Sequence, residues 1–185
     1  EKGYYMMLVT RHKGRDLMEQ ILGWNLEAMI SIGLGEREIR KIRGRFSGPM
    51  AVIDGYCPLP EGVINVRTDD RGGGYLMGKY LLKKGHRRLL FLTDNDESVD
   101  HERWLGVKKA LEEERVEDAA SRHILVPEDP SRRRRQYLEM LPFFREQSAL
   151  FFASDLYAVE ALNFLQDRGI RVPEELSVAG FDDVA

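Results

Sequence analysis

A chain of 185 residues, 43% hydrophobic and 32% charged, carries enough apolar surface to bury a core and has the length of one ordinary domain or two small lobes. Its 31 acidic against 28 basic residues leave a formal net charge of −3, so it lacks the basic footprint of a nucleic-acid-binding module, and any DNA contact is expected from another segment. The single cysteine, Cys57, excludes an intrachain disulfide framework and a cysteine-based metal cluster. No apolar run approaches the roughly 20 residues that cross a bilayer, and no signal segment opens the chain; a cytoplasmic protein without membrane contact is expected.

In chain order, Glu1 to Gly3 read as the end of a helix, Tyr4 to Val9 as a strand, Arg15 to Leu22 as a polar helix and Glu27 to Ile32 as a second strand. A helix over Glu36 to Arg43 leads to a strand at Met50 to Ile53, and Gly62 to Val66 make another. The helix over Gly73 to Lys84 is expected to gather Leu76, Met77, Tyr80 and Leu81 on one face, with Gly85 closing it. Strands then follow at Arg88 to Thr93, His123 to Val126, Ala149 to Ala153 and Leu176 to Phe181. Helices over Val99 to Glu114, Arg132 to Leu141 and Asp155 to Arg168 separate them. In the last helix Leu156, Val159, Leu162 and Leu165 read as the buried stripe, with Ser154 or Asp155 as the cap and Gly169 as the stop.

Strands joined by crossover helices predict an α/β fold of parallel sheets covered on both faces. Two lobes are expected, over residues 1–85 and 86–185, with the tight turn at Gly85 and His86 as hinge.

Ligands of open parallel sheets sit beyond the carboxyl ends of the strands, where strand order reverses. The residues after each predicted strand are polar and mostly acidic: Asp69 and Asp70, Asp94 and Asp96, Ser154 and Asp155, Asp182 and Asp183. Such carboxylates accept hydrogen bonds from hydroxyls or amines, bind a hard cation, or merely cap the next helix. Asp182 stands out, because two adjacent acids are present where one cap would do. Arg103 falls in the first turn of its predicted helix, where the helix dipole disfavours a cation; its guanidinium suits either bidentate ligand recognition or an ion pair. "RGGGY" (Arg71 to Tyr75) is neither a dinucleotide fingerprint nor a P-loop and reads as a flexible lead-in to its helix. The four histidines have no metal-ligand spacing, no nucleophile elbow is present, and the Arg132 to Arg135 run reads as a solvated helix face. No cofactor, metal or catalytic residue is indicated.

The ordered segments "GHRRLLFLTD", "SVDHERWLGVKKAL" and "ALFFASDLYAVEALNFLQDRGIRVPEELSVAGFDD" together resemble the effector-binding core of the lactose/galactose-repressor (LacI/GalR) family of bacterial transcription regulators. Weaker similarity extends upstream through "EKGYYMMLV", "GPMAVIDGYCP" and "INVRTDDRGGGYLMGKYLL", so it spans essentially the whole chain. The resemblance implies the two-lobed fold of type I periplasmic binding proteins, incomplete here at both ends, with the helix-turn-helix DNA-binding domain outside this chain. It implies a small polar effector, a sugar or nucleobase, held in a cleft between lobes, with Asp69 and Asp182 accepting from hydroxyls and Arg103 donating. Ser154, standing where the family usually has asparagine, and Asp155 belong to the same implied site. Operator DNA and a second copy of the chain in a homodimer are the implied macromolecular partners. The aromatic that many members carry near the helix start at Ser131 is missing, which bears on ligand class more than on fold. The alternatives are a periplasmic sugar-binding protein of an importer and, from another class, a magnesium-dependent phosphoryl-transfer enzyme working at the acidic rim.

Overall fold

Seven strands, all in parallel pairings, alternate with helices in the computed structural model, which describes residues 3, 5–10, 21 and 23–184. The strand expected from Tyr4 to Val9 does not form over residues 5–9, and of the helix expected over Arg15 to Leu22 only Ile21 is described, helical and buried. The chain groups into two compact units, Glu1–Thr68 and Asp69–Ala185.

In the first unit β1 (Met29–Ile32), β2 (Met50–Ile53) and β3 (Val63–Val66) make a sheet in that order. Helix α1 (Glu36–Arg43) crosses from β1 to β2. It buries Ile39 and Ile42 against Met50, Val52 and Ile21, the two-sided alternation of a strand turning Met50 and Val52 toward the helix. Acidic residues in its first turn and Arg40, Lys41 and Arg43 in its last complement the helix dipole.

The second unit holds β4 (Leu89–Thr93), β5 (His123–Leu125), β6 (Ala149–Phe152) and β7 (Ser177–Ala179), ordered β5-β4-β6-β7. Helices α2 (Asp70–Lys83), α3 (Ser98–Glu113), α4 (Pro130–Arg145) and α5 (Asp155–Gln166) surround that sheet. Leu89, Phe91, Ala149 and Phe151 pack with Leu81, Leu82, Trp104, Val107 and Leu111 of α2 and α3. The alternate residues Leu90, Leu92, Leu150 and Phe152 pack with Tyr137, Phe144, Ala161, Phe164 and Leu165 of α4 and α5. Strands buried on both faces read as continuous apolar runs, which is why "LLFL" and "ALFF" are unbroken.

Helix α2 groups with the second unit, whereas the sequence reading drew the division after it, at Gly85 and His86. The reason is a backbone-to-backbone contact between α2 and α3. A Cβ at Gly74 would fall inside the backbone of Arg103, one at Gly106 inside the backbone of Arg71, and one at Gly78 would lie 2.9 Å from the Ala110 methyl. "RGGGY" is thus a packing face, not a flexible lead-in, and α2 begins at Asp70, three residues before its expected start. The helix turns Gly74, Gly78, Leu81 and Leu82 inward and leaves Leu76 and Tyr80 exposed. Helix α5 shows the same shift of phase. Ala158, Ala161, Phe164 and Leu165 are buried, while Leu156 is 74% exposed and Val159 is exposed as well.

Gly85 ends α2 at φ +93°, its N–H donating to the Leu82 carbonyl and that of His86 to the Leu81 carbonyl. This paired closure needs a residue in the left-handed region, which glycine enters without steric cost.

Candidate functional site

Strand order reverses between β4 and β6: from β4 the chain reaches β5 on one side and then β6 on the other. The carboxyl ends of these two neighbours therefore bound the crevice in which open parallel sheets receive ligands. The loop after β4 supplies Asp94 and Asn95, the segment after β6 supplies Ala153, Ser154 and Asp155, and the segment after β7 supplies Phe181 and Asp182.

Arg103 is the hub of this end of the sheet. It sits in the second turn of α3, one turn later than expected, and is 8% exposed. Its Nε donates to Asp70 Oδ1 at 2.8 Å, one terminal nitrogen to the Ala153 carbonyl, and the other to Asp182 Oδ1 at 2.9 Å. The guanidinium carbon lies 3.7 Å from the centre of the Phe181 ring. A planar cation held by two carboxylates, a carbonyl and an aromatic face is fixed in direction, since every one of these contacts constrains the fork. Gly73 makes room for the arrangement: a Cβ there would meet Phe181 at 2.5 Å.

Arg103 and Asp182 are thus brought into direct contact, whereas Asp69 bonds the start of its own helix. Asp69 is the N-cap of α2, its carboxylate accepting from the Gly72 N–H at 2.9 Å. Its neighbour Asp70, 1% exposed, is the acid that meets Arg103. Ser154 occupies the N-cap position of α5 without a side-chain capping bond. Asp155 folds back on the β7 segment: its N–H donates to the Phe181 carbonyl at 3.0 Å and its Oδ2 accepts from the Val184 N–H at 2.8 Å. Asp182 and Asp183 both have positive φ, 98° and 54°, so the chain turns sharply just past the strand. Gly85 and His86 close α2 as described.

A second set of polar groups lines the same rim. Tyr157 donates its hydroxyl to Asp94 Oδ2 at 2.6 Å, and Asn95 Nδ2 bridges Asp94 Oδ1 and Asp100 Oδ2, each at 2.9 Å. Thr93 Oγ1 donates to Asp100 Oδ2 at 2.5 Å. Burial raises the Asp100 carboxyl above the ordinary aspartate range, the nearby Asp94 charge adding to the effect and the Thr93 bond opposing it. Burial and the bond to Asp94 push the Tyr157 phenol upward too, so it stays a donor at neutral pH. The Tyr157 ring carries the Arg133 guanidinium 4.3 Å from its centre. Arg133 is 2% exposed and donates to Glu160 and to the carbonyls of Pro127 and Glu128, so the four-arginine run is not a uniformly solvated face. Tyr157 and Arg133 had no signal of their own in the sequence. Asp94 belonged to the recognised rim, but its pairing with Tyr157 joins residues 63 apart.

Among the described residues no group of three or more His, Cys, Asp or Glu side chains could hold a metal ion, and no helix is long and apolar enough to cross a membrane. A family model described as a periplasmic binding protein-like domain matches residues 79–185. The transcriptional repressor PurR of Haemophilus influenzae is 32% identical over 142 residues, covering 74% of this chain and 40% of the relative. The ribose operon repressor of the same organism is 35% identical over 115 residues, covering 60% of this chain and 34% of its own length. Among solved structures, a sugar-binding transcriptional regulator of the LacI family from Escherichia coli, complexed with phosphate, superposes with a TM-score of 0.73 at 28% identity, over 91% of this chain and 61% of that one. The chain therefore spans less than half the length of these curated relatives.

Proposed function

The chain belongs to the periplasmic binding protein-like domain family, in its lactose/galactose-repressor branch, and from that premise we propose that it is the effector-sensing core of a transcription regulator. The observation that carries the reading is the buried guanidinium of Arg103 held between Asp182, the Ala153 carbonyl and the Phe181 ring, where strand order reverses. A small polar effector binds there, a sugar or a nucleobase-like molecule, with Asp182 accepting from its hydroxyls or amines and Arg103 donating to its oxygens. Ser154 and Asp155 border the same site. Asp69 acts on it through the start of α2, which it caps. The core performs no catalysis in this reading, works in the cytoplasm as a homodimer, and controls operator binding by a helix-turn-helix carried elsewhere in the protein.

Control requires that the effector bind the DNA-bound and DNA-free states with different affinity, because a ligand shifts an equilibrium only by its differential binding free energy. Gly85 and His86, expected as the hinge, close α2 inside the second unit with both N–H groups bonded, so they carry no hinge in this scheme. Support for repression rather than activation comes from relatives named as repressors.

The test is a thermal-shift screen of the full-length protein against sugars, polyols and nucleosides, since a ligand that binds only the folded state raises its midpoint by mass action. For the ligand so found, Asp182→Ala and Arg103→Ala are each expected to weaken binding more than about tenfold, about 1.4 kcal/mol. Unchanged affinity in both variants would sink the assignment.

A further inference from the structure

We infer that the site proposed above admits uncharged, hydroxyl-rich ligands and discriminates against anionic ones such as sugar phosphates and sugar acids; the inference rests on the effector-sensing reading. Charge and donor supply both favour a neutral ligand. Asp70, Asp94, Asp100, Asp155 and Asp182 gather at the carboxyl ends of β4, β6 and β7, and two guanidinium groups stand among them. Both cations are already engaged. Arg103 faces two carboxylates and a carbonyl, with Phe181 against one face of its plane. Arg133 is turned to Glu160 and two loop carbonyls.

Three of the five Arg103 N–H groups are spent, so an arriving phosphate or carboxylate would meet the remaining two with the Asp182 carboxylate bonded to the same guanidinium and Asp70, buried, bonded to Nε. The helix starts that often receive anions carry acids of the chain itself, although neither N-cap side chain bonds its helix. Asp100 lies in the first turn of α3 and Asp155 in the first turn of α5, each placing the chain's own negative charge where the helix dipole would otherwise draw a ligand's.

Hydrogen-bond supply points the same way. The hydroxyls of Thr93 and Tyr157 and the amide of Asn95 spend their protons on Asp94 and Asp100. Besides the Ser154 hydroxyl, what this rim offers a ligand is mainly carboxylate lone pairs, of which each group has about four. A ligand rich in O–H and N–H donors satisfies them, whereas a phosphate dianion brings acceptors alone. The Tyr157 ring, held by Arg133 and by its bond to Asp94, adds an apolar surface from α5 where the α4 start has none.

The test uses matched probes on the full-length protein, read by calorimetry and thermal shift: D-ribose against ribose phosphate, D-glucose against glucose phosphate and gluconate, adenosine against adenosine monophosphate, and inorganic phosphate alone. The neutral member of any pair that binds is expected to be at least about tenfold tighter than its anionic partner, with inorganic phosphate giving no shift. Asp182→Asn, which keeps an acceptor and removes a charge, is expected to narrow that ratio roughly threefold or more, because the nearest like charge is gone. An anionic probe that binds as tightly as its neutral parent overturns the inference and leaves the effector-sensing reading standing. An equal ratio in the wild type and Asp182→Asn also overturns it. A panel in which no probe moves the midpoint counts against the effector-sensing reading itself, and the inference falls with it.

Discussion

Replacing Arg103 by alanine takes the guanidinium away from Asp70, a carboxylate 1% exposed, and the cost should be that of breaking a buried ion pair, about 3–5 kcal/mol in urea unfolding. The paired change Asp70→Ala with Arg103→Met should recover most of the loss, because the buried ion pair is then replaced as a whole by apolar side chains. Equal losses for the single and paired changes would show that the ion pair is not what the fold depends on. Asp182 is the opposite case. Its side chain is 36% exposed, so Asp182→Ala should cost no more than about 1 kcal/mol, which makes it the variant of choice for binding. Arg103 and Asp182 stand out in the sequence because a cation near an expected helix start and a doubled acid past a strand both lack a routine structural reason, and the two side chains meet in the fold. The resemblance names Asp69 rather than Asp70: both belong to the same helix start, and only the cap geometry sets which carboxylate turns outward to Gly72 and which turns in to Arg103. His123 gives a pH dependence at the same scale. Its ring stacks 4.8 Å from Trp104, its Nε2 is buried with no hydrogen-bond partner, and burial lowers its pKa, Asp96 partly opposing and His101 adding to the shift. The folded state therefore resists a proton that the unfolded chain accepts. Stability is unaffected well above the unfolded value of about 6.5 and is lost as pH falls below it. His123→Phe should flatten the decline of the urea midpoint between about pH 7 and 5; parallel curves for the two proteins would exclude His123 as its source.

Helices α2 and α5 show where periodicity misleads. The largest apolar side chains are expected on the inward face; Leu81 and Leu165 are buried there, but Leu76, Tyr80, Leu156 and Val159 point outward, and glycines and alanines share the packing. Large side chains signal burial by volume, whereas small ones signal it by permitting close approach, and a pattern scored on hydrophobicity sees only the first. The α2–α3 contact tests this. Gly74→Ala and Gly106→Ala each set a methyl against backbone of the facing helix, which cannot rotate away, so each should destabilise by about 1–3 kcal/mol or more despite alanine's better helix propensity. At Gly78 the nearest atom is the Ala110 methyl at 2.9 Å, so Gly78→Ala should cost less, up to about 1 kcal/mol of propensity offsetting the crowding. Urea unfolding of the three variants checks the order. A mild effect at Gly74 would mean that the helices separate easily. The element boundaries, by contrast, were largely readable: α1 and β2 fall where expected, because capping chemistry and short apolar runs are local signals.

At the scale of the whole molecule, alternation of strands and helices made the α/β class and the parallel sheets legible, since a parallel pair needs a crossover and the crossovers are visible as helical periods. Strand order was not legible. Whether the strand at Ala149 pairs with β4 or with β5 is a long-range choice, and it is this choice that sets the reversal at which Arg103 and Asp182 meet. The two units differ in how fully their sheets are covered, and that difference should be measurable. Every residue of β4 and of β6 is buried, between clusters of thirteen and twelve buried side chains. The first unit's cluster holds five among the described residues, and Ile30, Ile32, Ile64 and Val66 of its sheet are exposed. Amides open for hydrogen exchange with free energies that range from near zero to the global value, and the least protected belong to segments with few buried apolar contacts. The amides of β4 and β6 should therefore exchange slowest, and those of β1, β2 and β3 faster by an order of magnitude or more, about 1.4 kcal/mol for each factor of ten. Moderate urea should erase the protection of the first sheet before that of the second, because the smaller core loses its margin first. Equal protection throughout, lost at one urea concentration, would show instead that the two units unfold as one cooperative body.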